Sequence, residues 1–121
     1  DQFKAPKGEI FLVIFDQKLV GTASLKMIRS NASELKRMYI EPRYQRQKKG
    51  QLLIETAIKK SFHFGATEIY LESPPPLKPA HKLYLKNGFE LINEYPEVSI
   101  PHELRFNWVY MKRTIFNIKG Q

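Results

Sequence analysis

The sequence predicts an α+β fold: a mixed, mostly antiparallel sheet with a parallel strand pair joined by a crossover helix, in the order βββαβαββ. Three observations predict it. Three β-rich runs follow one another at short polar breaks, the spacing of an antiparallel meander. From Gly50 the apolar period changes from that of a strand to that of a helix. A further β-rich run, Thr67–Glu72, follows that helix at once, and a strand–helix–strand unit implies that its two strands run parallel.

The elements follow in order. Glu9–Phe15 and Leu19–Ile28 are separated by Asp16-Gln17-Lys18, a hairpin spacing. Arg29-Ser30-Asn31 supplies the next turn and Ala32–Glu41 the third strand, ended by Pro42. Arg43–Lys49 is a polar, basic loop. In the helix after Gly50, Leu53, Ala57, Ile58, Ser61 and Phe62 share one face, while Glu55, Lys59 and Lys60 share the other. Gly65 is placed to stop it. Ser73-Pro74-Pro75-Pro76 is a stiff connector, and Lys78–Lys86 reads as a short helix with Pro79 in its first turn and Asn87-Gly88 at its end. Phe89–Tyr95 and Phe106–Ile115 are expected as the last strands, flanking the Pro-rich, charged loop Pro96–Arg105.

Composition narrows the function classes. A chain of 121 residues suits one domain, and 42% hydrophobic residues with eight Phe, six Tyr and one Trp build an ordinary core rather than a disordered chain. The longest apolar run, Ile10–Phe15, is far short of the roughly 20 residues of a spanning helix, so no membrane crossing is expected. The absence of cysteine removes a disulfide framework and a thiol nucleophile, and it fits a reducing, cytoplasmic location. The formal charge of +8 calls for an anionic partner: nucleic acid, a membrane surface or a phosphorylated small molecule. Lys36, Arg37, Arg43, Arg46, Lys48 and Lys49 crowd into one stretch. They lack the stacking aromatics or recognition helix of a nucleic-acid module, so nucleic acid is not the expected partner. The chain opens on Asp1 and enters a strand almost at once, which suggests that an N-terminal portion is missing.

Three motifs carry chemistry. Tyr44-Gln45-Arg46-Gln47-Lys48-Lys49-Gly50 opens a helix, whose first N–H groups and positive dipole end suit a phosphate. Gly50 allows a close backbone approach, and the second glycine and Gly-Lys-Ser/Thr of a Walker loop are absent. Ala80, Leu83, Tyr84, Gly88 and Phe89 stand at the spacing A-x-x-L-Y-x-x-x-G-F, an amphipathic helix with a glycine stop. Glu34 lies in the strand Glu34-Leu35-Lys36-Arg37-Met38-Tyr39-Ile40. His63, His81 and His102 are scattered without metal-ligand spacing, so no metal is expected.

Together these motifs resemble the GNAT superfamily of acetyl-CoA-dependent N-acetyltransferases, from about Gly8 to Ile115. Its cofactor motif, Gln/Arg-x-x-Gly-x-Gly/Ala, falls on Gln45–Gly50; Gln45 and Gly50 match, and Lys48 replaces the first glycine. Leu77, where many members have Asn, is a second departure that removes a polar side chain. The resemblance implies one acetyltransferase domain over residues 1–121 that lacks the family's N-terminal strand and helices. It implies acetyl-CoA as co-substrate, with pantetheine along the backbone of Met38, Tyr39 and Ile40. The pyrophosphate is expected on Gln45, Arg46, Gln47, Lys48, Lys49, Gly50 and Gln51. The reaction it implies is direct attack by a primary amine, with Tyr84 as general acid, Glu34 as base and Glu72 as the reserve base. The amine acceptor is left open, on the side of the loop Pro96–Arg105. The resemblance allows a homodimer. The alternatives are a CoA-binding fold that serves as a sensor or scaffold, and a nucleic-acid-binding module.

Overall fold

The computed structural model describes residues 8–44 and 48–115, apart from the Glu9 side chain. Its strands are β1 (Gly8–Phe15), β2 (Lys18–Arg29), β3 (Ala32–Ile40), β4 (Glu68–Ser73), β5 (Glu90–Ile92) and β6 (Val109–Thr114). The helices are α1 (Lys49–His63) and α2 (Lys78–Lys86), with short 3₁₀ turns at Pro42–Tyr44 and His102–Leu104. The sheet order is β1-β2-β3-β4-β6-β5, so β6 lies between β4 and β5. Among the described residues only β3 and β4 pair in parallel, joined by α1, as the sequence predicts.

The β1–β2 hairpin closes on a two-residue turn. Asp16 and Gln17 both take positive φ, 52° and 64°, the signature of the turn that matches strand twist. Lys18 therefore belongs to β2 and pairs with Phe15. Alternation sorts the side chains: Phe11 and Val13 enter the core, while Ile10, Leu12 and Ile14 stay exposed on the opposite face.

A β-bulge in β3 positions the site. Ser24 pairs with Lys36 and Thr22 with Tyr39, so Ala23 alone opposes both Arg37 and Met38. Arg37 sits at the bulge with φ of 54°. The extra residue inverts the pleat. Leu35 and Ile40, five positions apart in number, therefore both reach the core beside α1.

α1 covers one face of the sheet through Leu53, Ile54, Ala57 and Ser61, all buried. Its polar member is matched: Ser61 Oγ and Ser33 Oγ share a buried hydrogen bond of 2.8 Å. Gly65, with φ of 96°, ends the helix and turns the chain into β4. Asn87 secures α2 at its far end, donating to Leu83 O at 2.8 Å and exchanging amide hydrogen bonds with Gln51 of α1 at 2.7 and 2.9 Å.

The other face carries a second cluster: Ala32, Tyr70, Tyr95, Val98 and Tyr110. This cluster corrects the expected length of the final strands. Of the expected strand Phe89–Tyr95, Glu90–Ile92 alone pairs with β6; from there the chain leaves the ladder so that Tyr95 turns in against Tyr70, with ring centroids 4.9 Å apart. β6 begins only at Val109, because Asn107, with φ of 59°, lies in a turn that excludes Phe106 and Trp108 from the strand. Among the described residues no helix is long and apolar enough to cross a membrane.

Candidate functional site

β3 and β4 pair from Ala32↔Glu68 to Leu35↔Leu71 and then part. A cavity of about 580 Å³ opens beside the parted stretch of β3, on the α1 side. Met38, Tyr39 and Ile40 line it from β3, Gly50 from the start of α1, and Leu77, Ala80 and Leu83 from the start of α2 and the residue before it. Its size is that of a small-molecule site.

Gly50 shapes the cavity by having no side chain. A Cβ there would lie 2.9 Å from Leu83 Cδ2 and 3.5 Å from Met38 Cε. The backbone of the first α1 turn can therefore approach both β3 and α2. Lys48 precedes the helix in the left-handed conformation, with φ of 64° and ψ of 15°. A glycine takes that conformation without strain, so the Lys48 departure carries a conformational cost. The Lys49 ammonium stands over the Phe15 ring, 4.2 Å from its centroid. The Gln51 side chain is held by Asn87 and Glu55, which leaves its backbone N–H as its contribution to the helix N-terminus. Gln45, Arg46 and Gln47 lie outside the described residues.

Lys82 and Lys86, one turn apart on α2, also line the cavity. They were not singled out from the sequence, although their i, i+4 spacing next to the A-x-x-L-Y run places both on one helix face.

Tyr84 is 6% exposed and packs against Phe89, with ring centroids 5.8 Å apart. Burial raises its pKa to about 12, so the phenol stays protonated at neutral pH. Nearby, His81 Nε2 lies 2.9 Å from Ser73 Oγ at the end of β4, and burial lowers the imidazole pKa. This pair joins the start of α2 to β4.

Glu34 belongs to the opposite face of the sheet. It is 1% exposed, the reverse of a solvated strand residue. Tyr95 OH donates to its Oε2 at 2.8 Å, and the Lys36 ammonium lies 3.7 Å from its Oε1. The same ammonium lies 3.6 Å from Glu72 Oε1 and donates to Ser99 Oγ at 2.6 Å, and Ser99 Oγ donates to Glu72 Oε1 at 3.3 Å. The two carboxylates proposed from sequence are thus joined through Lys36 in one cluster that runs from buried Glu34 to exposed Ser99. Burial and the Glu34 carboxylate both push the Tyr95 phenol pKa up, which keeps it a donor. Tyr95 and Ser99 carry no local motif, and Lys36 stands out in the sequence only as part of the basic stretch; their place in the fold joins all three to the site.

A second groove, of about 570 Å³, runs over this face and is lined by Lys26, Glu34, Lys36 and Arg37 among others. Tyr84 therefore lies on the cavity side of the sheet with the α1-facing core, while Glu34 and Glu72 lie on the groove side.

Comparisons with known proteins bear on the family and the fold. The model of the acetyltransferase (GNAT) family matches residues 1–89. An uncharacterized N-acetyltransferase of Schizosaccharomyces pombe is 34% identical over 79 residues, which is 65% of this chain. The chain spans about 45% of the length of that relative. Among solved structures, a GNAT-family acetyltransferase from Staphylococcus aureus superposes with a TM-score of 0.79 at 25% identity, covering 90% of this chain and 68% of its own. The PaiA N-acetyltransferase from Thermoplasma acidophilum, solved in complex with coenzyme A, superposes with a TM-score of 0.73 at 24% identity over 88% of this chain and 60% of its own. On the family match over most of its length, joined to the parting of β3 from β4, the chain belongs to the GNAT acetyltransferase family.

Proposed function

We propose that this domain transfers the acetyl group of acetyl-CoA to a primary amine by direct attack. The observation that carries this reading is the parting of β3 and β4 after Leu35, with the bulge at Arg37. Consecutive residues of one strand line two sites on opposite faces: Met38, Tyr39 and Ile40 the cavity, Glu34, Lys36 and Arg37 the groove. Two reactants held on either side meet at the strand itself.

Acetyl-CoA supplies an activated thioester. The fit rests on the apolar walls of the cavity, the side-chain-free approach at Gly50, the first-turn N–H groups of Lys49, Gly50 and Gln51, and the charges of Lys82 and Lys86. The backbone of Met38–Ile40 borders the pantetheine path, and the Met38 N–H is the candidate oxyanion donor. The acceptor nitrogen attacks the carbonyl carbon, the C–N bond forms and the C–S bond breaks. A lysine-like amine, with pKa about 10.4, must first lose a proton. Glu34 is assigned as the group that receives it. Its burial requires the proton to pass through a water or a neighbouring polar side chain. Tyr84, protonated at neutral pH, returns a proton to the departing sulfur.

Calorimetry with acetyl-CoA followed by CoA release against a panel of amines tests the reading. Binding and turnover on at least one amine are expected. No binding up to about 1 mM, the top of the usual KM range, overturns it. Binding without turnover on any amine indicates a CoA sensor instead.

A further inference from the structure

The groove on the far face of the sheet holds charges that acetyl transfer by itself does not require. Lys26 and Glu34 are register partners across β2 and β3, so their side chains leave the same face with Cβ atoms about 5 Å apart. Ser24 and Lys36 form the next such pair, and Arg37 joins the lining at the bulge. Lys36 is committed to Glu34, Glu72 and Ser99. Lys26 and Arg37 are exposed and have no ion pair or side-chain hydrogen bond among the described residues. Arg37 is moreover kept at φ of 54°, where a side chain is strained, at the point where the groove meets the parted strands.

The acidic end is unbalanced in the opposite sense. Glu34 and Glu72 share one ammonium, that of Lys36. Glu72 is 8% exposed in its side chain, yet its Oε2 has no hydrogen-bond partner, and neither has the buried Tyr110 hydroxyl. Glu72 and Tyr110 are register partners across β4 and β6, so these two unmatched groups also leave the sheet on one face. A buried carboxylate oxygen without a donor is costly, so this end of the face favours a ligand that brings a donor toward it. The face therefore has an unmatched carboxylate oxygen at one end and two solvated cations, Lys26 and Arg37, open to an anion at the other.

We propose that the acceptor is a small amine that carries its own anionic group, a carboxylate or a phosphate. Its nitrogen faces the Glu34–Glu72 end, and its anion is held by Lys26 and Arg37. The inference rests on the acetyl-transfer reading and assigns its acceptor class. Lys26 and Arg37 are positioning residues: they hold the far end of the acceptor and take no part in bond formation. A polyamine sets a second positive charge against Lys26 and Arg37, and a neutral amine leaves both unpaired, so either class is disfavoured. The groove volume of about 570 Å³ suits a molecule of amino-acid size.

The test compares matched pairs in the acetyl-CoA assay. Each standard L-amino acid is set against its amide, and phosphoethanolamine against ethanolamine. The amide amine is less basic and so more available as a neutral nucleophile, which makes a preference for the acid a report on recognition. About tenfold or greater kcat/KM for the anion-bearing member of a pair is expected. The K26Q/R37Q double variant should bring that ratio toward one, through KM rather than kcat; K26E alone should act in the same direction. Preference in the amino acid pairs assigns the carboxylate, and preference in the phosphoethanolamine pair assigns the phosphate. Equal or better turnover of neutral amines, polyamines or peptides overturns the acceptor class while acetyl transfer stands. A preference that survives K26Q/R37Q overturns the roles of Lys26 and Arg37. Acetyl-CoA binding without turnover on any member overturns the acceptor class, and absence of acetyl-CoA binding overturns both readings.

Discussion

The two faces of β3 solve different problems with the same strand. On the α1 side, Leu35, Met38 and Ile40 meet Leu53, Ile54 and Leu83, and the cavity is shaped by fit: one missing side chain at Gly50 sets how closely three elements approach. On the groove side, Glu34 and Lys36 meet Tyr95, Ser99 and Glu72, and the arrangement is set by matched charges and donors. The first face tolerates changes that keep volume; the second is sensitive to single polar atoms, because each buried charge depends on its partners. On the proposed reading, co-substrate binding and deprotonation of the acceptor are thereby assigned to opposite faces of one sheet. The bulge at Arg37 is what lets neighbouring residues serve both.

The sharpest way to break this comparison is Glu34→Ala. Removing the carboxylate leaves Tyr95 OH and Lys36 without their buried partner, and a loss of about 3–5 kcal/mol in unfolding free energy is expected by urea denaturation. Glu34→Gln keeps an acceptor for Tyr95; it should fold nearly as well yet lose most turnover. A Glu34→Ala protein as stable as the parent contradicts the polar account of this face.

Tyr84→Phe comes next. Turnover should fall about 100-fold with acetyl-CoA affinity retained, as expected for loss of a positioned acid. The same variant gives a pH test. The Tyr84 pKa is raised from 10.0 to about 12 by burial, so its contribution to stability is complete below pH 10 and is lost as pH rises through about 12. The alkaline fall in melting temperature across that window should flatten in the variant. Unchanged turnover removes Tyr84 from the chemistry.

On the cavity side, Gly50→Val is expected to weaken acetyl-CoA binding by about tenfold, since its side chain enters the space that Leu83 and Met38 border. Calorimetry on the folded variant measures this, and equal affinity shows that the close approach at Gly50 is not used. The smallest effect is at Lys48. Lys48→Gly relieves the left-handed backbone at φ of 64° and should raise the melting temperature by about 3 °C; a decrease indicates that the Lys48 side chain contributes more than the strain costs.

Much of the cavity side was legible in the sequence because its parts are local. The strand up to Ile40, the basic loop, Gly50 and the α1 period lie within a short stretch, and the A-x-x-L-Y-x-x-x-G-F run marks α2 and its stop at Gly88. Glu34 and Glu72 were named as candidate bases, but their shared cluster was not foreseen. Tyr95 is 61 positions from Glu34, and Ser99 is 63 positions from Lys36. The final strands are shorter than their propensity predicts for the same reason: Tyr95 has strand propensity, yet its contact with Tyr70 and Glu34 takes it out of the ladder.

By itself the sequence determined the order of elements, the parallel pair and the character of the α1 side, because periodicity, glycine stops and proline breaks act over a few residues. Tertiary structure decided the rest. It placed β6 between β4 and β5, bringing Tyr110 opposite Glu72, and turned the last loop onto Glu34. It also placed one extra residue at Arg37, which moved Met38 and Ile40 to the cavity side. A strand pattern read with a period of two carries no mark of such an insertion. The bulge exists only when β2 is laid beside β3, and with it comes the division of one strand between two sites.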